Sequence, residues 1–296
     1  MGVHLTLGPV LYNWPASMRR DFYFRIADEA PLDTVYVGEV VCAKRAPLFD
    51  SYWPEVIERL QAAGKTVVHA SPILATGQEG RLRAMGARDF PLPVEANDVG
   101  AIGMLRGRPH YVGPFVNVYN PDTLAVLVRQ GAVRVCLPVD VPHQALAVLA
   151  GAGAVEVSVF GRVPLSISAR CYHARVHGLH KDSCRYVCEQ DPDGLDVTTL
   201  DQEPLMAING VQTLSHAAVN LVHVVADLVR MGVGAMRLWP QAVDMTAVAQ
   251  VFRAVLKGRE DAAAAWHRLR TLVPHLPFVD GFFHGVEGCT LVADHA

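Results

Sequence analysis

The 296-residue sequence has no excess of charge of either sign and few charged residues altogether. It contains 26 lysines and arginines against 29 aspartates and glutamates, a formal net charge of −3. Such a balance provides no basic surface field to attract nucleic acid, so we expect no nucleic-acid partner. Charged residues make up 19% of the chain and hydrophobic residues 51%, which excludes a disordered or fibrous protein.

The sequence also lacks a hydrophobic run long enough to cross a membrane. The longest apolar stretch, 145–155, contains two glycines and stops at Glu156, whereas a spanning helix needs about 20 apolar residues. The opening MGVHLTLGPV has neither the basic segment nor the long apolar core of a signal peptide. We therefore expect a cytoplasmic protein that is not integral to a membrane. In that reducing compartment, cysteines are more often ligands, catalytic thiols or core residues than disulfides.

Short apolar runs alternate with helical stretches along almost the whole chain. Strands are expected at HLTL (4–7), DTVYVG (33–38), KTVVHA (65–70), PLPVEAN (91–97), PFVNVYN (114–120), VRVCLPVD (133–140), VEVSVFG (155–161) and MRLWP (236–240). Their continuous apolar character is typical of parallel strands covered by helices. The pattern predicts an α/β fold, an irregular TIM-type (β/α) barrel that forms a single domain over residues 1–296. An open doubly wound sheet is the alternative, but no glycine-rich fingerprint follows the first strand.

Residues 161–216 break this alternation, and we expect them to form an inserted cluster-binding segment within the barrel. Polar residues also follow several predicted strands, on the face where a barrel places its active site. They are Glu39, His69, Glu95, Asn97, Asn117, Asn120 and Asp140. Asn120 and Asp140 are better explained as capping or loop residues. Glu39, Glu95 and Asn117 are candidates for contact with substrate or for support of the site.

The most informative segment is SISARCYHARVHGLHKDSCRYVC, residues 166–188, which contains three of the six cysteines. Cys184 and Cys188 are four residues apart, a spacing that projects both sulfurs from one face of a helical turn. Cys171 lies thirteen residues before Cys184 and provides a third sulfur. Cys42, just after the second predicted strand, is the best candidate for a fourth.

Four thiolates bind either zinc or an iron–sulfur cluster. Zinc sites favour short paired spacings on both sides, and only one pair here is short, so the spacing favours a cluster while zinc and plain core cysteines stay open. His173, His177 and His180 add a mixed cysteine and histidine zinc site as a further possibility. Cys136 lies inside a predicted strand and is expected to be a core residue, and Cys289 has no partner spacing.

Basic residues flank each candidate ligand and could offset the negative charge of a cluster with four thiolates. They are Lys44, Arg45, Arg170, Arg175, Lys181 and Arg185. For any one of them, a solvated place on the surface is an equally good explanation.

Several segments together resemble the collagenase-like peptidases, peptidase family U32, and within that family its members in ubiquinone biosynthesis. They are GPVLYNWP (8–15), YVGEVVCAKR (36–45), NVYNPDTL (117–124), SARCYHAR (168–175), KDSC (181–184), VC (187–188) and INGVQT (208–213). The resemblance extends from near the first residue to about Pro240. Its specific part is the spacing of the three clustered cysteines together with Cys42 in a GE-x-x-C motif.

The resemblance implies a [4Fe–4S] cluster held by Cys42, Cys171, Cys184 and Cys188. It implies a cytoplasmic iron–sulfur subunit of an oxygen-independent, anaerobic hydroxylation system for ubiquinone precursors. The partner implied is a UbiU-like paralogue in a heterodimer, for which we expect a buried area of about 1,200 Å² or more. A lipid-binding accessory protein is implied in the same way.

Two other functions remain open on the sequence. One is a peptidase, the activity for which the wider family is named, although no Ser/His/Asp or Cys/His order stands out and the best cysteine nucleophiles are the candidate ligands. The other is a non-catalytic redox or scaffold subunit with a structural or redox-sensing cluster. Partner-dependent hydroxylation distinguishes the first function from both alternatives.

Overall fold

A computed structural model of the protein describes residues 2–75, 86 and 90–293. The strands are β1 (His4–Leu7), β2 (Thr34–Val37), β3 (Thr66–Ala70), β4 (Val94–Ala96), β5 (His110–Val112), β6 (Ala132–Cys136), β7 (Val155–Gly161), β8 (Pro164–Ile167), β9 (Leu195–Thr198), β10 (Pro204–Asn209), β11 (Gln212–Ser215), β12 (Ala218–Asn220), β13 (Ala235–Leu238) and β14 (Phe278–Val279). The α-helices are α1 (Ala16–Glu29), α2 (Trp53–Ala62), α3 (Val99–Leu105), α4 (Pro121–Arg129), α5 (His143–Ala152), α6 (Tyr172–Val176), α7 (Val225–Met231), α8 (Met245–Leu256), α9 (Ala262–Leu272) and α10 (Gly281–His284). Short 3-10 helices cover Ala43–Leu48, Asp50–Tyr52, Pro114–Val116, Lys181–Ser183, Val187–Gln190 and Val222–Val224.

Eight parallel strands close into a barrel in the order β1 to β7 and then β13. The closure is made by β13, which pairs with β7 on one side and with β1 on the other. At this closure Met236 on β13 lies opposite Leu5 on β1 and Val157 on β7. The predicted TIM-type α/β barrel is confirmed.

Several helices begin at residues whose side chains cap them. Asp98 accepts hydrogen bonds from Gly100 N and Ala101 N and so starts α3, and Asn120 accepts one from Thr123 N to start α4. Buried leucines and valines line the inner faces of these helices and pack against the barrel. No described helix combines the length and the apolar character needed to cross a bilayer.

The prediction of a strand at 114–120 was wrong. The fifth barrel strand is β5, four residues earlier, and residues 114–116 form a 3-10 helix that begins at Pro114. Asn117 then adopts the left-handed conformation, with φ of 61°, which ends any extended run. The apolar composition that suggested a strand reflects burial of residues such as Val118 at the end of the barrel.

A second sheet is inserted between β7 and β12. Its four antiparallel strands lie in the order β8, β11, β10 and β9, and β10 and β11 form a hairpin. The connection between β9 and β8 contains α6 and two 3-10 helices, and these carry the cysteine-rich segment. After the inserted sheet, β12 pairs antiparallel with the carboxyl end of β7, and β14 pairs with β12.

The interior of the barrel holds a buried ion cluster as well as apolar side chains. Arg237 on β13 donates from Nε to Glu156 Oε1 at 2.8 Å and pairs with Glu95. Tyr36 donates to the other oxygen of Glu156 at 2.7 Å, and its ring lies 4.0 Å from the guanidinium carbon of Arg237. Glu95, predicted as a candidate for contact with substrate, therefore belongs to the packed centre of the barrel, where its side chain is fully buried.

Candidate functional site

Four cysteines from distant parts of the chain line one small pocket, which we call the thiol pocket. Its empty volume is about 330 Å³. Its lining consists of Cys42, Lys44, Arg45, Cys171, Lys181, Cys184, Tyr186, Val187, Cys188, Gly210 and Val211. Cys42 comes from the barrel and the other three cysteines come from the connection between β8 and β9. The structure thus brings together the four cysteines selected from the sequence.

The barrel holds Cys42 through Glu39, which follows β2. One oxygen of the Glu39 carboxylate accepts hydrogen bonds from the backbone amides of Val41 and Cys42, both at 3.1 Å. The other oxygen pairs with Arg19 at 3.3 Å, and both side chains are buried. Glu39 therefore holds the turn that carries Cys42, and it is not itself among the residues that line the thiol pocket.

The other three cysteines lie at the ends of short helices. Cys171 caps α6, and its Sγ accepts a hydrogen bond from Ala174 N at 3.3 Å. Cys184 ends the 3-10 helix Lys181–Ser183, and Cys188 lies in the 3-10 helix Val187–Gln190.

The prediction that Cys184 and Cys188 share one helical turn was wrong. Arg185 and Tyr186, between them, both adopt left-handed backbone conformations with φ of 50° and 55°. Two adjacent non-glycine residues in this region are unusual, and such backbone strain concentrates at functional sites. The two cysteines converge because the chain reverses direction between them.

Arg45 connects the barrel side of the thiol pocket to the inserted sheet. Its buried guanidinium donates to Leu11 O at 3.2 Å, to Asn209 O at 3.1 Å and to Asn209 Oδ1 at 2.7 Å. Asn209 in turn donates from Nδ2 to the carbonyls of Cys188 and Asp191, both at 2.9 Å. These bonds link Arg45 and the Cys188 backbone through a single asparagine at the end of β10.

Two of the four pocket thiols, Cys42 and Cys171, are harder to ionise than a free cysteine. Burial raises the pKa of Cys42 and of Cys171, and the positive charge of Arg45 only partly opposes this in each case. A metal would therefore have to displace protons in order to bind, as is usual for thiolate ligands.

The remaining predicted basic residues separate into two groups. Lys44 and Lys181 line the thiol pocket, and Lys44 Nζ donates to the Lys181 carbonyl at 2.8 Å. Arg170, Arg175 and Arg185 are exposed, and none of them is among the residues that line the thiol pocket. Arg170 uses its backbone amide to bind Ser168 Oγ at 3.1 Å.

The histidines of the cysteine-rich segment lie outside the thiol pocket. His173 is buried beside Asp191, with Nε2 at 2.9 Å from Oδ2, and its ring stacks on His177 with centroids 5.5 Å apart. Burial lowers the pKa of His173 in spite of Asp191, so the ring is neutral near pH 7. His173, His177 and Asp191 form a separate cluster of potential ligand atoms, while His180 is exposed.

A larger hollow lies at the carboxyl ends of the barrel strands, and we call it the barrel-mouth hollow. It encloses about 910 Å³ of empty space, part of it open to solvent. Aromatic rings line it, among them Phe115 and Trp239 with centroids 6.3 Å apart. Asn117 lies in its wall, as does Tyr119, whose hydroxyl donates to Asp140 at 3.0 Å. Burial and the Asp140 carboxylate raise the pKa of Tyr119 to about 12.

The two sites share elements of the inserted sheet. Val211 lines the thiol pocket, and its carbonyl accepts a hydrogen bond from Ser168 N at 2.8 Å. Ser166 and Ile167, just before Ser168, line the barrel-mouth hollow. A molecule in the hollow would therefore contact β8, which pairs with β11, a strand of the hairpin whose turn lines the thiol pocket.

Sequence reasoning missed two polar clusters. Arg237 at the barrel centre gave no signal because an arginine in a short apolar strand has no motif around it. His223, Asp280 and His284 form a second cluster of potential metal ligands, with ligand atoms within 4.8 Å of one another. The spacing of Asp280 and His284, four residues apart on a helical turn, is the one signal that could have pointed to it.

Comparison with known protein families gives a match over most of the chain. The model of peptidase family U32 matches residues 23–291. The matched part includes all four cysteines of the thiol pocket and most of the barrel.

Proposed function

The chain belongs to peptidase family U32, and on this basis and on the thiol pocket we propose that it is a UbiV-type iron–sulfur subunit. In this proposal it acts with a UbiU-like paralogue in the oxygen-independent hydroxylation of ubiquinone precursors. The convergence of Cys42 with Cys171, Cys184 and Cys188 is the observation that carries the proposal, since no local motif requires it.

Among the described residues, the four thiols do not form the compact ligand group that a single zinc ion needs, which favours a [4Fe–4S] cluster. Tetrahedral zinc with sulfur at about 2.3 Å would hold its four sulfurs about 3.8 Å apart. In the part of the chain that the structure describes, the groups that bring three ligand atoms within 4.8 Å consist of histidines and aspartates, and the cysteines are not among them. A cubane cluster binds each thiolate through a different iron and therefore needs wider spacing.

The charges around the thiol pocket also suit such a cluster. A cubane core with four thiolates carries a net charge of about −2. Arg45 is buried against Cys42 and Cys188, and Lys44 and Lys181 add two ammonium groups at the rim. The four cysteines would hold the cluster, and these three side chains would offset its charge in a partly dry pocket.

When bound, the cluster would supply one-electron redox chemistry. The chain itself contributes an aromatic-lined recess, because Phe115 and Trp239 in the barrel-mouth hollow offer flat apolar surface to an aromatic ring. Asn117, Tyr119 and Asp140 provide polar atoms in the same wall. We assign the ubiquinone precursor to this hollow, next to β8, which pairs with the hairpin whose turn lines the thiol pocket.

A peptidase that uses one of these cysteines is less well supported. A cysteine nucleophile needs a thiolate, which a lowered pKa provides. Burial raises the pKa of Cys42 and Cys171, so both thiols are poor nucleophiles at neutral pH. A non-catalytic redox or scaffold subunit would have the same thiol pocket, and only activity can separate it from the proposed hydroxylase subunit.

The test is co-expression of the chain with a UbiU-like paralogue, followed by purification without oxygen. We expect a heterodimer on gel filtration, brown protein with about four irons and four sulfides in this chain, and hydroxylation of a ubiquinone precursor that needs both subunits. Colourless protein with one zinc per chain would refute the cluster. Cluster-containing protein without hydroxylation would instead support the redox or scaffold function, and cleavage of casein or collagen would support the peptidase.

A further inference from the structure

We propose that His223, Asp280 and His284 form a zinc site that ties the C-terminal segment 280–293 to the turn after β12. This site is separate from the thiol pocket and contains no cysteine. His223 lies in the 3-10 helix Val222–Val224, Asp280 follows β14, and His284 ends α10. The three residues therefore come from two segments that are almost sixty positions apart in the sequence.

The distances match the edges of a zinc coordination tetrahedron. His223 Nε2 lies 3.2 Å from Asp280 Oδ2, and His284 Nε2 lies 3.3 Å from the same oxygen. Ligands at about 2.0–2.1 Å from a tetrahedral zinc are about 3.3 Å apart. Both measured edges agree with that value.

At His284 the ring orientation favours a metal ion over a direct hydrogen bond to Asp280. His284 Nε2 is buried and makes no hydrogen bond within the described part of the chain, although it lies close to Asp280. A ring nitrogen that donated to the carboxylate would point at its oxygen, whereas a metal ligand points at the ion.

The surroundings of Asp280 hold it in place as a ligand. Its side chain is fully buried, and its two oxygens accept hydrogen bonds from Val292 N at 2.6 Å and Ala293 N at 3.0 Å. The edge of the Trp266 ring packs against His223 at 5.5 Å between centroids. Fixed ligands with hydrogen-bonded carboxylates are typical of protein metal sites.

The donor set also identifies the ion. Two imidazoles and one carboxylate suit zinc, whereas hard ions such as Mg²⁺ and Ca²⁺ prefer oxygen ligands alone. Three protein ligands leave a fourth position for water, and the His284 side chain, 28% exposed, marks the side open to solvent.

The test uses the full-length chain after treatment with a chelator, titrated with Zn²⁺ by calorimetry and with Co²⁺ by absorption spectroscopy. Cobalt distinguishes the two sites, since thiolate ligands give intense sulfur-to-metal charge transfer and nitrogen and oxygen ligands do not. The variants are His284→Ala and, as a matched control, His275→Ala, an exposed histidine in the preceding loop. Circular dichroism without metal checks that both variants fold.

We expect one Zn²⁺ per chain at the site, with a Co²⁺ spectrum of nitrogen and oxygen ligands and a rise in melting temperature on adding zinc. His284→Ala should weaken this binding by about 100-fold or more and abolish the rise, while His275→Ala should change neither. Equal zinc binding by His284→Ala and the unmodified chain would overturn the proposal. A cobalt spectrum with thiolate bands alone would do so too. Neither result would bear on iron in the thiol pocket.

Discussion

Cys42 reaches the thiol pocket from the turn after β2, whereas its three companions belong to the inserted segment. The turn is held by the Glu39 carboxylate, which binds the Cys42 amide at 3.1 Å. In a cluster at this position Cys42 would bind one iron, and the barrel would hold Cys42 in place. Single substitutions at this residue therefore report most directly on the proposed cofactor.

We predict that Cys42→Ala leaves one iron of the cluster open to water, so that the cluster fails to assemble or decays rapidly in air. Cys289→Ala is the control, because Cys289 is exposed and is not among the residues that line the pocket. Iron and sulfide content after anaerobic purification should fall sharply in the first variant and stay unchanged in the second. If both variants retained the full iron content, Cys42 would not be a ligand.

Arg45 provides a second residue-scale prediction. Arg45→Met keeps most of the side-chain volume but removes the buried charge and the three hydrogen bonds to Leu11 and Asn209. The negative cluster would lose its nearest counter-charge, so we expect faster loss of iron in air. Arg170→Met is the matched control, since Arg170 is exposed and next to Cys171 in sequence. Similar decay rates in the two variants would remove the role assigned to Arg45.

At the scale of elements, the hairpin of β10 and β11 sets the floor of the thiol pocket. Its turn contains Gly210, whose φ of +73° lies in the left-handed region. A Cβ there would lie 2.1 Å from Nη2 of Arg45. Two conditions therefore favour glycine at this position. The backbone is left-handed, and the Arg45 guanidinium occupies the space that a side chain would need.

We predict that Gly210→Ala destabilises the protein more than Gly178→Ala. Gly178 has a similar φ of +67°, but a Cβ there would meet nothing within 4 Å. The left-handed backbone alone should cost each variant about 1–2 kcal/mol. Displacing Arg45 should add about 1–3 kcal/mol at Gly210 only, measured by denaturant unfolding, together with a loss of bound iron. Equal losses of stability in both variants would mean that Arg45 moves aside freely.

The element scale also shows where sequence reasoning succeeds. The barrel strands were predictable because continuous apolar runs between capped helices leave few other folds, and Asn120 caps α4 as its place before Pro121 suggests. The strand predicted at 114–120 failed because burial at the end of a barrel gives the same composition as a strand. The turn between Cys184 and Cys188 could not be predicted, since left-handed Arg185 and Tyr186 are stabilised only by tertiary contacts.

The same limit applied to the sites. Cys42 could be selected because its strand-end position and the resemblance agreed, and the structure places it with the other three cysteines. Neither the spacing nor the composition of the sequence predicts that the Glu39 carboxylate binds backbone amides. His223 and Asp280 meet only because β14 pairs with β12, a contact that no local pattern specifies.

At the scale of the whole molecule, the barrel centre depends on Arg237 for charge balance. Burial raises the pKa of Glu95, whereas for Glu156 the guanidinium outweighs burial and lowers the pKa. Arg237 pairs with both carboxyl groups and provides the positive charge between them. This network joins β13 to β4 and β7 across the interior.

We predict that Arg237→Met lowers the free energy of unfolding by about 3–5 kcal/mol, because it leaves buried carboxyl groups without their partner. Adding Glu156→Gln to this variant should restore part of the loss, since it removes one of the two buried carboxyl groups that lost their partner. Urea unfolding of the three proteins gives the comparison. If Arg237→Met alone were as stable as the unmodified chain, the ion cluster would contribute nothing to the stability of the barrel.

The thiol pocket is built from two distant parts of the chain, and this affects the order of folding and iron delivery after synthesis. Positions 42 and 171 are 129 residues apart, and a flexible chain pays a large entropic cost to bring such distant points together. We therefore expect the barrel to close before iron is delivered, and the bound cluster then to hold the inserted segment against it. Brief protease treatment of iron-free protein should cut first within 168–195, and reconstitution with iron and sulfide should protect those bonds. A maturation factor that donates the cluster would consequently bind a folded barrel whose segment 168–195 is not yet held by iron, and not a nascent chain.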